Sequence, residues 1–299
     1  MKTTLQSSPV STAQDQLSAV VFDWAGTLLD FGSRAPMGAF VRLFEQFGIT
    51  LSIEQARGPM GMAKWDHIRA LGLLPDVATQ WLARYGQPMS DADVDRLYEV
   101  FTPMNAAVVP DFSDFIPGAL EVVAALRERG LKVGSTTGYN RPIMEVVSAI
   151  AARGGFVPDS LVCAGDLVTG RPTPLMMWRT FAELGICWPS TVVKVDDTEV
   201  GIEEGLNAGT WTVGVCVSGN AMGLSLADWQ ALSEEQQIAR RTAAADKLYG
   251  AGAHYVVDSV ADLLPVLDDI QQRLARGERL VSTLDDSTPT RNAVAIDAS

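Results

Sequence analysis

Residues 17–27 read Leu17-Ser18-Ala19-Val20-Val21-Phe22-Asp23-Trp24-Ala25-Gly26-Thr27, a short apolar run that stops on a carboxylate and a glycine-containing turn. An apolar run bounded in this way reads as a strand. The pattern recurs at Lys132–Thr136, Leu161–Cys163, Thr191–Val195 and Thr212–Val217, with Tyr255–Val257 as an expected last strand. Helical stretches lie between them, at Ala119–Arg129, Pro142–Arg153, Leu175–Leu184 and Glu199–Ala208. This alternation predicts an α/β fold with a doubly wound, Rossmann-like parallel sheet, whose ligands collect at the carboxyl ends of the strands. Asp23 falls at such an end. Taken alone, an Asp there serves as readily as a helix N-cap or a turn residue.

One region breaks the rhythm. From residue 35 to residue 107 the pattern is helical throughout, with segments expected at Met37–Phe47, Ile53–Leu71, Pro75–Tyr85 and Asp91–Ala107. It reads as a helical cap inserted into a core made of residues 17–34 and 108–275, with Asp30–Arg34 and Asp111–Gly118 as linkers. Residues 1–16 and 276–299 are polar and aperiodic, so both ends are expected to be flexible.

The 299 residues, 47% hydrophobic and 20% charged, have ordinary globular composition. A formal net charge of −13 opposes nucleic acid as a partner, because that binding needs clustered Lys and Arg. Cys163, Cys187 and Cys216 are odd in number and lack CxxC spacing, which suggests neither a disulfide framework nor a zinc site. No run approaches the ~18 apolar residues of a membrane span, and the first 16 residues lack a secretory apolar stretch. A cytoplasmic location and no membrane partner are expected.

Three further strand ends carry chemistry. Gly134-Ser135-Thr136-Thr137-Gly138-Tyr139 supplies hydroxyls, Thr169-Gly170-Arg171-Pro172 a guanidinium, and Val192-Val193-Lys194-Val195-Asp196-Asp197 two adjacent carboxylates. Arg offers a planar fork for phosphate oxygens. Adjacent carboxylates in a low-dielectric cleft repel one another unless a cation lies between them, and hard oxygen donors suit Mg²⁺.

In this order, the four motifs resemble the haloacid-dehalogenase (HAD) superfamily. The resemblance implies Asp23 as a nucleophile that forms an aspartyl-phosphate. It also implies a hydroxyl on the phosphoryl group, from Thr137 or alternatively Thr136, and Arg171 beside it. Mg²⁺ is implied as the cofactor, held by Asp23, the backbone carbonyl of Ala25 and either Asp197 or Asp196, with Asp197 preferred. Two departures stand out. Ala25 occupies the place of the second Asp that protonates the leaving oxygen in most phosphatases of that superfamily, and Gly201 stands where one common variant of the fourth motif carries a later Asp.

The insert contains Arg57-Gly58-Pro59-Met60-Gly61-Met62-Ala63-Lys64-Trp65-Asp66-His67. On a continuous helix Lys64 would share a face with Met60 and His67. This segment, with Phe22–Gly26 and Gly134–Tyr139, resembles the phosphonoacetaldehyde hydrolase family, in which a cap Lys forms a Schiff base with the substrate aldehyde. The resemblance spans about Leu17 to Leu264. It implies a small-molecule phosphonate substrate, contacts to it from Met60, Gly138 and Thr136, and a homodimer, for which apolar cap helices such as Pro75–Tyr85 with Trp81 are expected to supply the interface. His67 and Tyr139 would relay protons, or His67 would orient Lys64. The chemistry has its own logic: breaking a carbon–phosphorus bond leaves electrons on carbon, and an iminium accepts them. No alcohol oxygen then awaits a proton, which accounts for Ala25. To condense, Lys64 must shed a proton that an ordinary Lys holds to about 10.4. The competing readings are a phosphate-monoester phosphatase, a catalytically silent binding protein and a dehalogenase.

Overall fold

A computed structural model describes residues 13–280. Six strands form one wholly parallel sheet: β1 (Ala19–Phe22), β2 (Lys132–Asn140), β3 (Ser160–Ala164), β4 (Val192–Asp196), β5 (Trp211–Val215) and β6 (Tyr255–Val257). Their order is β3-β2-β1-β4-β5-β6, so the chain winds to one side of β1 and then to the other. All four β1 residues are fully buried, as expected of a central strand covered on both faces. Phe22 pairs with Ser135 on one side and Val195 on the other. One residue further on, Asp23, Thr136 and Asp196 therefore come level at the switch point of the sheet, where open α/β folds bind ligands.

Five helices are inserted between β1 and the rest of the sheet: α1 (Ala35–Gln46), α2 (Ile53–Arg57), α3 (Lys64–Gly72), α4 (Pro75–Tyr85) and α5 (Asp91–Val108). The others are α6 (Ala119–Glu128), α7 (Arg141–Arg153), α8 (Leu175–Leu184), α9 (Glu199–Asn207), α10 (Leu226–Gln230), α11 (Glu234–Gly250) and α12 (Leu263–Ala275). Within the insert, Phe40 of α1 stacks on Phe101 of α5 with ring centroids 4.3 Å apart, beside buried Leu43, Ile68 and Leu97, and this packing is continuous with the sheet core. Each such fully buried side chain contributes about 1.5–3 kcal/mol. No helix among the described residues is long and apolar enough to cross a membrane.

Several expectations need correction. The helix expected over Ile53–Leu71 is broken between α2 and α3. Pro59 lacks an N–H and would clash with the carbonyl four residues back, while Gly61 takes φ +89°. A Cβ on Gly61 would lie 2.3 Å from Thr198 Oγ1, so the turn fits only as glycine. β2 runs on to Asn140 rather than ending at Thr136, with its register to β3 shifting between Thr137 and Asn140. Trp81 is fully buried, stacked against Tyr85 and Phe47, and has no surface to offer a partner. The sequence pattern assigns no element to residues 218–254. There α11 buries only Ala244 and Leu248, too few positions to make a visible apolar stripe.

The ends are tied down further out than expected. Residues Ala13–Asp15 form a 3₁₀ turn, Gln271 bridges Asp15 O and Leu17 N at 3.0 and 2.9 Å, and Arg279 pairs with Asp15 at 2.6 Å. Residues 1–12 and 281–299, also expected to be flexible, lie outside the described residues.

Candidate active site

Asp23 leaves β1 with its N–H donating to Val195 O at 3.0 Å, which seats its side chain between β2 and β4. One carboxylate oxygen lies 2.9 Å from Arg171 Nη2. The Arg171 fork is held from behind: Nε donates to Glu204 Oε2 at 3.0 Å and Nη2 to Thr136 O at 2.7 Å, while Nη1 is buried with no partner. Nη1 is thus a donor left over for a ligand.

Behind the fork lies a pair the sequence pattern did not single out. Lys194, fully buried in β4, places Nζ 3.0 Å from Asp196 Oδ2, 3.2 Å from Glu204 Oε2 and 2.7 Å from Thr136 Oγ1. Thr136 also donates to Glu204 Oε2 at 2.8 Å. Its hydroxyl is therefore committed to this network and does not line the cavity; Thr137 does. The only signal for the pair was a lone charge within an apolar strand, because Glu204 lies ten residues on and is brought in by the β4–α9 turn.

The two neighbouring carboxylates differ. Asp196 Oδ1 accepts from Thr198 N–H at 3.0 Å and Thr198 Oγ1 at 2.7 Å, and Oδ2 faces Lys194 and Arg171. Burial opposes its charge, but Arg171 and Lys194 outweigh that and hold its pKa below the ordinary value. Asp197 accepts from Asn220 N–H at 2.7 Å, has only a 3.5 Å contact from Thr27, and lines the cavity. Burial first, then the charges of Asp23 and Asp196, push its pKa well above the carboxylate range. Asp23 is raised to about 6, by burial and then Asp196, with Arg171 and Lys194 pulling it back.

The donor set fits a divalent cation. Oxygens of Asp23, Asp196 and Asp197 lie within 4.8 Å of one another. With Glu204 they still outnumber the buried cations Arg171, Lys194 and Lys64, so negative charge is left over for a cation to offset. A Cβ on Gly26 would sit 2.1 Å from Asp197 Oδ2, so that glycine makes room for the carboxylate. The departure at Gly201 has a similar cause. A Cβ there would lie 2.0 Å from Asp196 Cγ, so Asp196 itself fills the space a side chain at 201 would need.

The insert supplies the opposite wall. Lys64, the first residue of α3, is 3% exposed, with Nζ 3.8 Å from Met60 Sδ and 5.1 Å from the Tyr139 ring centroid. Met60 reaches it from the turn before α3 and not from a shared helix face. Burial lowers the Lys64 pKa to about 8 against the pull of Asp23, with Arg171 adding to the drop. Tyr139 stays a protonated phenol, since burial and then Asp30, Asp23 and Asp197 raise it well above its ordinary value. His67 is fully buried and does not line the cavity. Its Nε2 lies 2.8 Å from Ala56 O, which makes that nitrogen the donor, and its ring stacks on Phe40 at 4.0 Å. Burial and then the Lys64 charge push its pKa well down, so the ring is neutral.

Asp23, Ala25, Met60, Lys64, Thr137, Gly138, Tyr139, Arg171 and Asp197 thus share one cavity, whereas Thr136, His67 and Asp196 stand behind its walls. Gly138 is closely covered by the insert: a Cβ there would lie 2.7 Å from Met62 O. Ser33, Pro36 and Thr198 also line the cavity and were not anticipated.

Carboxylates carried to the ends of two adjacent parallel strands, with helices inserted directly after the first, are the plan of haloacid dehalogenase-like hydrolases, and the model of that family matches residues 17–209. Within that class the chain belongs to the phosphonoacetaldehyde hydrolase family. It is 57% identical over 263 residues to the phosphonoacetaldehyde hydrolase of Paraburkholderia xenovorans, covering 88% of this chain and 98% of that one. It is 50% identical to the enzyme of that name from Klebsiella pneumoniae, covering 89% and 99%. A phosphonoacetaldehyde hydrolase-like protein from Oleispira antarctica superposes with a TM-score of 0.88 at 45% identity, over 91% of this chain and 99% of that one.

Proposed function

We propose that the protein hydrolyses the carbon–phosphorus bond of phosphonoacetaldehyde, giving acetaldehyde and phosphate. The observation that carries this reading is a buried amine, Lys64, in one cavity with the carboxylate Asp23, while Ala25 stands where an acid for an alkoxide leaving group would be. Neutral Lys64 Nζ attacks the aldehyde carbon, and loss of water with uptake of one proton gives the iminium. An Asp23 oxygen then attacks phosphorus, and the carbon–phosphorus pair flows into the iminium to give a neutral enamine. Arg171 and Thr137 donate to the phosphoryl oxygens as charge shifts among them. Water cleaves the aspartyl-phosphate. Protonation of the enamine at carbon and hydrolysis of the imine release acetaldehyde and free Lys64. Tyr139, as a neutral phenol beside Lys64, suits proton transfer through water. His67, neutral and tied to Ala56 O, suits orienting α3 better than relaying protons.

Mg²⁺ is our choice of cation, held by Asp23, Asp197 and the backbone carbonyl of Ala25, with Asp196 behind them; when bound it offsets the repulsion between nucleophile and phosphoryl oxygens. We further propose that residues 35–107 act as a cap that opens on the core, residues 17–34 and 108–275, to admit substrate. Three unpaired thiols support a cytoplasmic location. A cap-mediated homodimer completes the reading, with Ile53, Leu73, Leu82 and Tyr85 as the large apolar residues that the insert exposes.

The test is turnover. Purified protein should release phosphate and acetaldehyde in equal amounts from phosphonoacetaldehyde, and Lys64→Ala should abolish both. Release from a phosphate monoester that survives Lys64→Ala would instead establish a phosphatase.

A further inference from the structure

Arg57, at the end of α2, reaches out of the insert into the core. Its Nη1 sits among four oxygens: Gly32 O at 3.0 Å, Ser33 O at 3.4 Å, Asn220 O at 3.3 Å and Asn220 Oδ1 at 3.1 Å. Its Nη2 donates to Gly223 O at 3.1 Å. These acceptors come from the linker leaving β1 and from the loop after β5. None is a carboxylate, so the hydrogen bonds of the guanidinium hold loop geometry, while its charge also acts at longer range on Asp30 and Asp197. A Cβ on Gly223 would lie 2.7 Å from Arg57 Cζ, so the loop is shaped to admit the side chain. Asn220 returns the contact, its amide donating to Arg57 O at 3.4 Å.

Asn220 has a second attachment. Its backbone N–H donates to Asp197 Oδ2 at 2.7 Å, the shorter of the two hydrogen bonds that fix that carboxylate. A peptide segment held by its carbonyl and side chain on one side and donating its N–H on the other transmits a constraint between the two. We propose that Arg57 is a positioning residue that couples cap closure to the orientation of Asp197: with the cap shut, Arg57 fixes Asn220, and Asn220 fixes the carboxylate for its cation. This rests on the reading of Asp197 as a cation ligand. The coupling is reciprocal, because whatever binds better to the closed arrangement must also favour closure. Lysine, a single point charge, could not span the same set of acceptors.

The experiment titrates Mg²⁺ by calorimetry into the full-length wild type, Arg57→Ala, Asn220→Ala and Asp197→Asn, and follows proteolysis of the 30–34 linker with and without Mg²⁺. Loss of a residue that orients a ligand typically weakens metal binding by about tenfold or more. Arg57→Ala should show that loss while still melting cooperatively without Mg²⁺, and Asn220→Ala a smaller one. Mg²⁺ should slow linker cleavage in wild type and leave Arg57→Ala unaffected. Arg57→Ala binding Mg²⁺ as tightly as wild type overturns the coupling and leaves the proposed function standing. Asp197→Asn binding as tightly as wild type removes the ligand reading and this inference with it. If Arg57→Ala does not fold, Asn220→Ala decides: unchanged Mg²⁺ affinity in that variant overturns the coupling.

Discussion

At the scale of the residue, Lys64 and Asp23 face one another as a pair whose environments move them in useful directions. Burial brings the amine down to about 8, so near neutrality a modest fraction is already nucleophilic. The folded protein favours the unprotonated amine, and imine formation therefore gains as pH rises through that value and is lost as pH falls below it. The rate of imine formation from free enzyme should climb with pH to a plateau, with its midpoint at or below about 8. A bound dication offsets the upward pull of Asp23 and Asp197 and moves the midpoint lower. Stopped-flow rates of condensation across pH 5–10 measure this, and a flat profile would contradict it. Asp23 was legible because it follows directly on the first strand and Thr137 because it lies in the hydroxyl-rich end of the second, whereas Arg171, in the loop between β3 and α8, was legible only through its place in the order of motifs. Lys194 and Glu204 were not, since their meaning lies in a pairing that only the β4–α9 turn creates.

At the scale of the element, the strands were readable because short apolar runs bounded by turns have few other uses in a domain of this size. The break between α2 and α3 was written in Gly58-Pro59, yet a helical pattern on both sides concealed it. The β4–α9 junction shows what spacing alone could not reveal. Asp196 and position 201 compete for one space, since a Cβ on Gly201 falls 2.0 Å from the Asp196 carboxyl carbon. Gly201→Asp alone should overfill that space and cost about 1–3 kcal/mol of stability, the usual penalty of overpacking. Asp196→Gly alone should leave Lys194 with one buried partner fewer and also destabilise. The double variant Asp196→Gly/Gly201→Asp should recover most of both losses in urea unfolding, as coupled neighbours do. Additive losses would mean that the two positions do not share a site.

At the scale of the whole molecule, one domain plan brings a strand-end carboxylate under helices inserted immediately after it. The existence of the insert was legible; how it meets the core was not, because Arg57, Gly61 and Gly138 acquire their roles only across that boundary. The surface was equally hidden: Trp81, expected at an interface, is internal, and Leu73 is 69% exposed. Sedimentation equilibrium should find a dimer that Leu73→Glu shifts toward monomer, and a monomeric wild type would contradict the cap-mediated dimer. The central claim is that the cap lysine and the core aspartate act on one substrate. Its most direct measurement is borohydride reduction in the presence of phosphonoacetaldehyde, with mass mapping of the product, on wild type and Asp23→Asn. Lys64 should carry an N-phosphonoethyl group in Asp23→Asn and an N-ethyl or N-phosphonoethyl group in the wild type, with phosphate release from the wild type alone. No adduct at Lys64, or undiminished phosphate release from Asp23→Asn, would contradict it.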